Sequence, residues 1–380
     1  MPAFGETIAR LARARAATRT QGDTAGDGGM TEVRGFGFNP GALRMLAYTP
    51  TDLAAGAPLV VVLHGCTQRA GPFAASTGWL ALADRLGFAV LAPEQASGNN
   101  PNRCFNWFEP GDITRGQGEA ASIHAMIQHM VRAHGLDPAR VFVTGLSAGG
   151  AMAAVLLAVY PETFAAGAVV AGLPFGLSSN VQEAVSLMHR ATPLSAAQLA
   201  ELVGKAAPRT SNTPRLTVWH GQADATVTSD NGRALARQWA AVHGLSEQPD
   251  QVQARPGWAR STWCGSDGEP RVELNLLAGL GHGAPIAASG EDPLGAAAPF
   301  VLEAGVSSTL EIARFWGLAP AAAGEAWTNG SPEAAAKSAS SPHATSAALG
   351  DSVLAAVSPH VSDDVRQVID GALRSAGLRR

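Results

Sequence analysis

Ser147 lies in a short glycine-rich segment that could present a reactive hydroxyl group. The segment reads GLSAGG over residues 145–150, so that glycines stand two positions away on either side of the serine. It follows VFVT, an apolar run that predicts a strand, and it precedes AMAAVLLAVY, which predicts a helix. A serine at the apex of such a strand-to-helix turn is typical of a nucleophile elbow. We predict that Ser147 is a catalytic nucleophile; the alternative is an ordinary glycine-rich turn.

A serine nucleophile needs an imidazole base, and the base needs a carboxylate that orients it. Asp224 is our candidate for the carboxylate, because it follows the predicted strand RLTVWH in the string WHGQADATV. The alternative is a turn or helix-capping aspartate, since aspartate is common in both places. Asp230 and Asp267 are weaker candidates, because one begins a predicted helix and the other lies in a predicted hairpin turn.

His282 is our candidate for the base. It lies in LLAGLGHGAP, after another predicted strand, and its neighbouring glycines would let the loop fold back over the site. The resulting chain order of serine, acid and histidine is that of α/β-hydrolases. His220 stands at a strand end, before the acid. His124, His129 and His134 are five residues apart and do not share a helical face. We therefore predict neither a metal site nor a cofactor.

The developing negative charge of a tetrahedral intermediate needs two backbone N–H groups. One belongs to the residue that follows the nucleophile, which is Ala148. The second should come from the loop after an earlier strand, and LVVVLHGC ends in His64, Gly65 and Cys66. We predict that Cys66 supplies this second N–H group, and we also assign His64 to substrate binding.

The elements that must position these residues alternate along the chain. Such alternation predicts an α/β fold with a mostly parallel central sheet and helices on both faces. The predicted strands cover residues 31–38, 43–48, 59–63, 88–91, 141–144, 167–170, 215–220, 251–254 and 271–276. The predicted helices cover residues 74–86, 118–134, 148–160, 231–243 and 306–316, with a small helical insertion over 178–208.

The chain as a whole divides into four predicted parts. Residues 1–30 read as an N-terminal tail with a short helix, and residues 31–318 as one catalytic domain. Residues 319–350 are rich in Ala, Ser and Pro and predict a linker. Residues 351–380 predict an amphipathic helix, whose apolar stripe must be buried on the core, a second subunit or a hydrophobic particle.

Composition excludes several classes of protein. The 380 residues carry a net charge of −4 without a dense basic run, so we predict no nucleic-acid partner. Three cysteines are too few for a disulfide scaffold. The longest apolar stretches are shorter than the roughly 20 residues that a transmembrane helix needs. No secretory signal is recognisable, which predicts a cytoplasmic protein.

Several motifs together resemble the polyhydroxybutyrate (PHB) depolymerase family of esterases. They are LHGCTQ, CFNWF, RGQGE, GLSAGGAM, FAAGAVVAGLPFG, WHGQADATV and GLGH, and the resemblance covers roughly residues 31–318. The resemblance implies an α/β-hydrolase with a Ser/His/Asp triad that cleaves poly- or oligo-3-hydroxyalkanoate esters. It also implies that Cys66 and Cys104 form a disulfide and that Trp107 is a wall of the acyl-binding cleft. The alternative for Trp107 is a core aromatic residue.

The chain departs from this family in ways that affect substrate and location. Many members are secreted, and many follow GLGH with a Trp-Pro segment, whereas this chain reads GLGHGAPI. Related members include feruloyl and acetylxylan esterases, so an esterase acting on polysaccharide esters is the alternative function. A third hypothesis is a non-catalytic granule-binding protein. The helix predicted over residues 351–380 would then contact a polymer granule or form a homodimer.

Overall fold

Short strands provide the frame of the molecule. The structure is a computed structural model that describes residues 26–190, 192–207, 212–290, 292–321 and 328–329. In chain order the strands are β1 (Thr31–Val33), β2 (Arg44–Tyr48), β3 (Leu59–Leu63), β4 (Ala89–Glu94), β5 (Val141–Leu146), β6 (Ala166–Val170), β7 (Arg215–Gly221), β8 (Gln251–Arg255), β9 (Trp258–Cys264), β10 (Pro270–Leu277), β11 (Ala284–Ile286), β12 (Val301–Glu303) and β13 (Thr328–Asn329).

Eleven of these strands form one sheet in the order β1-β2-β4-β3-β5-β6-β7-β10-β9-β8-β13. The centre, from β4 to β10 in that order, is parallel. The strands at both ends pair antiparallel. Strands buried on both faces read as continuous apolar runs, and all five residues of LVVVL in β3 are buried. Strands β11 and β12 form a separate parallel pair.

Helices cover both faces of the sheet, as the sequence predicts. They are α1 (Ala70–Ser76), α2 (Trp79–Leu86), α3 (Pro110–Ile113), α4 (Gly118–His134), α5 (Ala148–Val159), α6 (Val181–Met188), α7 (Ala196–Gly204), α8 (Ser229–Val242) and α9 (Ser308–Phe315). Alternate residues of β3 belong to two apolar clusters. Leu59 and Val61 pack in one cluster with side chains of α4, α5 and α8, whereas Val60 packs in the other with α1, α2 and α9.

The short elements α3, β11, β12 and β13 were not predicted, and the structure differs from the sequence prediction at two further places. The helix predicted over residues 74–86 is two helices, because Gly78 has a left-handed φ of 87° between α1 and α2. A side chain there would also approach the Leu294 side chain. Strand β9 was not predicted, although aromatic and β-branched residues are common in strands. Its Trp258 and Trp263 are both buried.

The parts of the chain outside the predicted catalytic domain are described only in places. The chain divides into two compact units, Met1–Ala335 and Ala336–Arg380. The second unit, with the amphipathic helix predicted over 351–380, lies outside the described residues, as do residues 1–25 of the predicted tail. Within the predicted linker, Thr328–Asn329 pairs with β8 at the sheet edge, so these two residues are part of the sheet.

Candidate active site

Ser147 occupies the sharp turn between β5 and α5. Its backbone angles are φ 57° and ψ −117°, in a region that residues with a Cβ atom rarely adopt. The turn is tight, because a Cβ on Gly145 would overlap the Gly149 carbonyl and a Cβ on Gly149 would overlap the Leu63 carbonyl. These two glycines therefore let the strand, the turn and the neighbouring strand end approach closely.

Asp224 and His282 meet although 58 positions separate them along the chain. His282 Nδ1 donates a hydrogen bond of 2.7 Å to Asp224 Oδ2. The loop after β10 brings the histidine to the end of β7, and β7 and β10 are parallel neighbours. Because Nδ1 carries the proton of this bond, Nε2 of the neutral ring is a proton acceptor.

The Asp224 carboxylate is held on both oxygens. Oδ1 accepts hydrogen bonds from the backbone N–H groups of Thr226 at 2.8 Å and Val227 at 2.9 Å. Burial raises the pKa of the Asp224 carboxyl, but hydrogen bonds from His220 and His282 outweigh that effect. The pKa therefore lies well below its usual range, and the group is a carboxylate at neutral pH.

Ser147 and His282 line the same cleft. Among the described residues, the lining of this cleft consists of Gly65, Cys66, Gln68, Leu146, Ser147, Thr226, His282 and Phe300. Asp224 is buried behind the histidine. The structure thus brings the three residues that the sequence predicts as a triad to one place. A hydroxyl, an imidazole and a carboxylate in this arrangement are suited to nucleophilic attack with general-base assistance.

The loop after β3 forms the side of the cleft that faces the serine. Within the described part of the chain, no hydrogen bond occupies the backbone N–H of Cys66 or of Ala148. Gln68 fastens the loop, because its Oε1 accepts a bond of 2.8 Å from the Gly65 N–H. Its Nε2 donates to the Pro299 carbonyl at 2.9 Å.

A disulfide joins Cys66 to Cys104, as the family resemblance implies. It links the loop after β3 to the segment CFNWF at residues 104–108. Buried Glu119 holds that segment from the other side, since its Oε2 accepts the Asn106 N–H at 2.9 Å and its Oε1 contacts Gln95. Burial raises the pKa of the Glu119 carboxyl to about 8.

Two residues that we assigned to substrate binding, His64 and Trp107, are buried in the structure, and their role in binding stays a prediction. His64 is fully buried, with Nδ1 bonded to the Gly65 carbonyl at 2.8 Å and Nε2 accepting the Gln95 N–H at 3.1 Å. Its ring thus links the loop after β3 to Gln95. Trp107 is buried in the apolar core and packs edge-on against Phe108 at 5.5 Å. This packing favours the core alternative for Trp107.

Sequence reasoning missed several residues at the site. Gln68, Thr226 and Phe300 line the cleft, and His220 Nε2 lies 3.4 Å from Asp224 Oδ2. His220 and Thr226 flank the acid in WHGQADATV, so their proximity was available as a signal. Phe300 lies in a loop without a recognisable motif, and only the structure reveals its position.

The described residues contain no group of histidine, cysteine and acidic side chains arranged to hold a metal ion. Among the helices that the structure describes, none has the length and apolar character needed to cross a membrane.

Comparisons with known proteins agree on one class. The sequence model of the family described as esterase PHB depolymerase matches residues 44–260. Poly(3-hydroxyalkanoate) depolymerase C of Paucimonas lemoignei is 41% identical over 291 residues, which cover 76% of this chain and 70% of that protein. Feruloyl esterase B of Talaromyces stipitatus is 32% identical, with coverage of 67% and 72%.

Acetylxylan esterase A of Aspergillus oryzae is 29% identical and covers 67% of this chain and 84% of the relative. The solved structure of the acetyl xylan esterase from Aspergillus awamori has a TM-score of 0.65 at 24% identity. It covers 76% of this chain and 99% of that chain, and it shows a shared fold.

The fold and the elbow at Ser147 define an α/β-hydrolase, and the relatives are carboxylic ester hydrolases. The chain belongs to the esterase PHB depolymerase family and is a carboxylic ester hydrolase.

Proposed function

We propose that the protein is a serine esterase that cleaves poly- or oligo-3-hydroxyalkanoate esters through an acyl-enzyme. Ser147 Oγ attacks the ester carbonyl carbon while His282 Nε2 takes the hydroxyl proton. The C–O bond to the alcohol then breaks, and His282 returns the proton to the departing alcohol. Water attacks the acyl-serine with the same assistance, which releases the acid and restores the serine.

Other groups stabilise the charges in these steps. Asp224 holds the Nδ1–H of His282 and stabilises the imidazolium that forms in both steps. The backbone N–H groups of Cys66 and Ala148 donate to the oxyanion of each tetrahedral intermediate. The observation that carries this mechanism is the 2.7 Å bond from His282 to Asp224, with His282 and Ser147 lining one cleft.

The substrate class is supported by the relatives. The 41% identity to a poly(3-hydroxyalkanoate) depolymerase covers more of the chain than the 32% identity to a feruloyl esterase. An esterase of polysaccharide acetyl or feruloyl groups is the second candidate, favoured by the acetylxylan and feruloyl esterase relatives. A panel of 3-hydroxybutyrate oligomers, acetylated xylan and methyl ferulate separates the two. Faster release of ferulate or acetate than of hydroxybutyrate would select the second candidate.

Replacement of the nucleophile tests the chemistry. We expect Ser147→Ala to lower kcat/KM for p-nitrophenyl butyrate by more than about a thousandfold. Ser246→Ala removes a hydroxyl from an exposed loop and serves as the matched control, with unchanged turnover. Retained turnover in the Ser147 variant, with its fold verified by circular dichroism, would reject the mechanism.

The possible partners of the protein, a polymer granule or a second subunit, concern residues 351–380, which lie outside the described residues. We propose that this segment contacts a polymer granule or a second copy of the chain. A chain truncated after residue 350 should lose binding to solid polymer or halve its mass in solution, with esterase activity retained. If neither property changes, both docking roles are rejected. Ester hydrolysis by the unchanged chain would reject the non-catalytic hypothesis.

A further inference from the structure

Phe300 holds an unfavourable backbone conformation beside the candidate active site. Its φ is 62°, in the left-handed region that residues with a Cβ atom rarely adopt. It directly precedes β12, and its carbonyl accepts the Ala284 N–H at 2.8 Å. Residues in such conformations persist only where their surroundings hold them, and they cluster at functional sites.

Contacts of neighbouring residues hold the segment that contains Phe300. The Gln68 carboxamide bonds to the Gly65 N–H and to the carbonyl of Pro299, the residue before Phe300. This side chain thereby connects two loops that are 231 positions apart. Gly283 faces the Phe300 carbonyl so closely that a Cβ there would lie 2.8 Å from its oxygen.

The Phe300 ring lies against the candidate base. Its centroid is 5.8 Å from that of His282, and the two ring planes are 76° apart. Phe300 also lines the cleft that contains Ser147. Phe300 therefore forms an apolar wall on the side of the cleft where His282 stands.

The chemistry identifies which half of the ester meets this wall. His282 returns its proton to the departing alcohol, so the alcohol oxygen must lie within hydrogen-bond reach of the His282 imidazole. The carbon atoms attached to that oxygen then extend along the surface beside His282. An aromatic face there gains from burying an alkyl group and offers no hydrogen bond to a sugar hydroxyl.

We propose that Phe300 is a specificity-determining residue that selects esters of alkyl alcohols, such as a hydroxyalkanoate unit, over esters of carbohydrate hydroxyls. This inference rests on the proposed function, since it takes His282 as the acid that protonates the leaving alcohol. It makes Phe300 an aromatic residue in contact with substrate.

Two ester series test the inference on purified full-length chain. One keeps the acetyl group and varies the alcohol from ethyl to hexyl, with xylose tetraacetate as the carbohydrate member. The other keeps p-nitrophenol and varies the acyl group from acetyl to hexanoyl. We expect Phe300→Ala to lower kcat/KM for hexyl acetate by about tenfold relative to xylose tetraacetate. The dependence on acyl length should remain that of the unchanged protein. Phe38→Ala, which removes an exposed ring, is the control.

Phe300→Gly distinguishes the effect of the aromatic ring from the effect of the backbone conformation. Glycine adopts the left-handed conformation freely, so this variant should lose the same selectivity and yet unfold at a higher denaturant concentration than Phe300→Ala. Equal losses across all alcohols, no loss, or a change confined to the acyl series would overturn the inference. Each of those outcomes leaves the proposed function standing, whereas full activity of Ser147→Ala would reject the proposed function itself.

Discussion

His220 Nε2 lies 3.4 Å from Asp224 Oδ2, the same oxygen that accepts the hydrogen bond from His282. Nε2 of His220 is also 2.9 Å from the Val227 carbonyl, which can only accept. The proton of the neutral ring is therefore assigned to Nε2, and it points towards both oxygens. A second imidazole thus restrains the carboxylate at the oxygen that binds His282.

Removing this restraint should affect the rate more than substrate binding. We expect His220→Leu to lower kcat about tenfold with KM nearly unchanged, because Asp224 would orient His282 less well. His220→Gln retains an N–H donor and should recover most of the rate. Steady-state kinetics on p-nitrophenyl butyrate measure both constants.

His243 provides a matched control for His220. It is partly buried, and its Nε2 bonds to a backbone carbonyl, that of Pro214, at 3.0 Å. His243→Leu should therefore cost stability without a selective fall in kcat. Equal kinetic effects of the two leucine variants, or no recovery with glutamine, would contradict a positioning role of His220.

The backbone of Ser147 predicts a conflict between stability and activity. Its positive φ is unfavourable for any residue except glycine. Ser147→Gly and Ser147→Ala should both be inactive, but the glycine variant should be more stable than the alanine variant by about 1 kcal/mol. Urea unfolding of the two inactive proteins measures this difference. An alanine variant at least as stable as the glycine variant would show that the turn is unstrained.

Glu119 predicts a dependence of stability on pH. Burial raises the pKa of its carboxyl to about 8 in the folded chain, against a usual value near 4.5. Between these values the folded chain binds more protons than the unfolded chain, so the free energy of unfolding falls as pH rises. Glu119→Gln should remove this contribution. Urea midpoints at about pH 5 and about pH 8 should differ less in the variant than in the unchanged protein. An identical pH dependence would exclude Glu119 as its source.

The Cys66–Cys104 disulfide predicts a coupled loss of stability and activity on reduction. The bridge closes a loop over a sequence separation of 38, which contributes about 4 kcal/mol in the chain-entropy model. The double variant Cys66→Ser, Cys104→Ser should melt several degrees lower and turn over more slowly, because the Cys66 N–H loses its fixed position. Cys264→Ser alters the free cysteine and should change neither property. Unchanged activity in the double variant would show that the loop after β3 holds its position without the bridge.

The compartment of the protein stays a prediction. From the sequence we predict a cytoplasmic protein, whereas disulfides persist mainly in oxidising compartments. The bridge therefore weighs against that expectation.

Local signals account for most of the predicted fold. The helix predicted over residues 118–134 is α4, and the buried strand predicted over 59–63 is β3. Both are long apolar or amphipathic patterns, which determine their own secondary structure. The apolar pattern does not show the split between α1 and α2. A side chain at position 78 would overlap the distant Leu294 side chain, and that contact exists only in the folded chain. Strand β9 depends on pairing with β10 and β8, which sequence periodicity does not specify.

The sequence by itself determined the family and the grouping of Ser147, Asp224 and His282. Each of these residues follows a strand within a few positions, and their chemistry is visible in short motifs. Only the tertiary structure decided which side chains surround them. Gln68 donates a hydrogen bond to the Pro299 carbonyl, 231 positions away along the chain. Phe300, which follows Pro299, places its ring against His282. The physical reason is that the parallel sheet gathers strand ends from the whole chain at one edge, and the contacts between their loops depend on packing that no local pattern encodes.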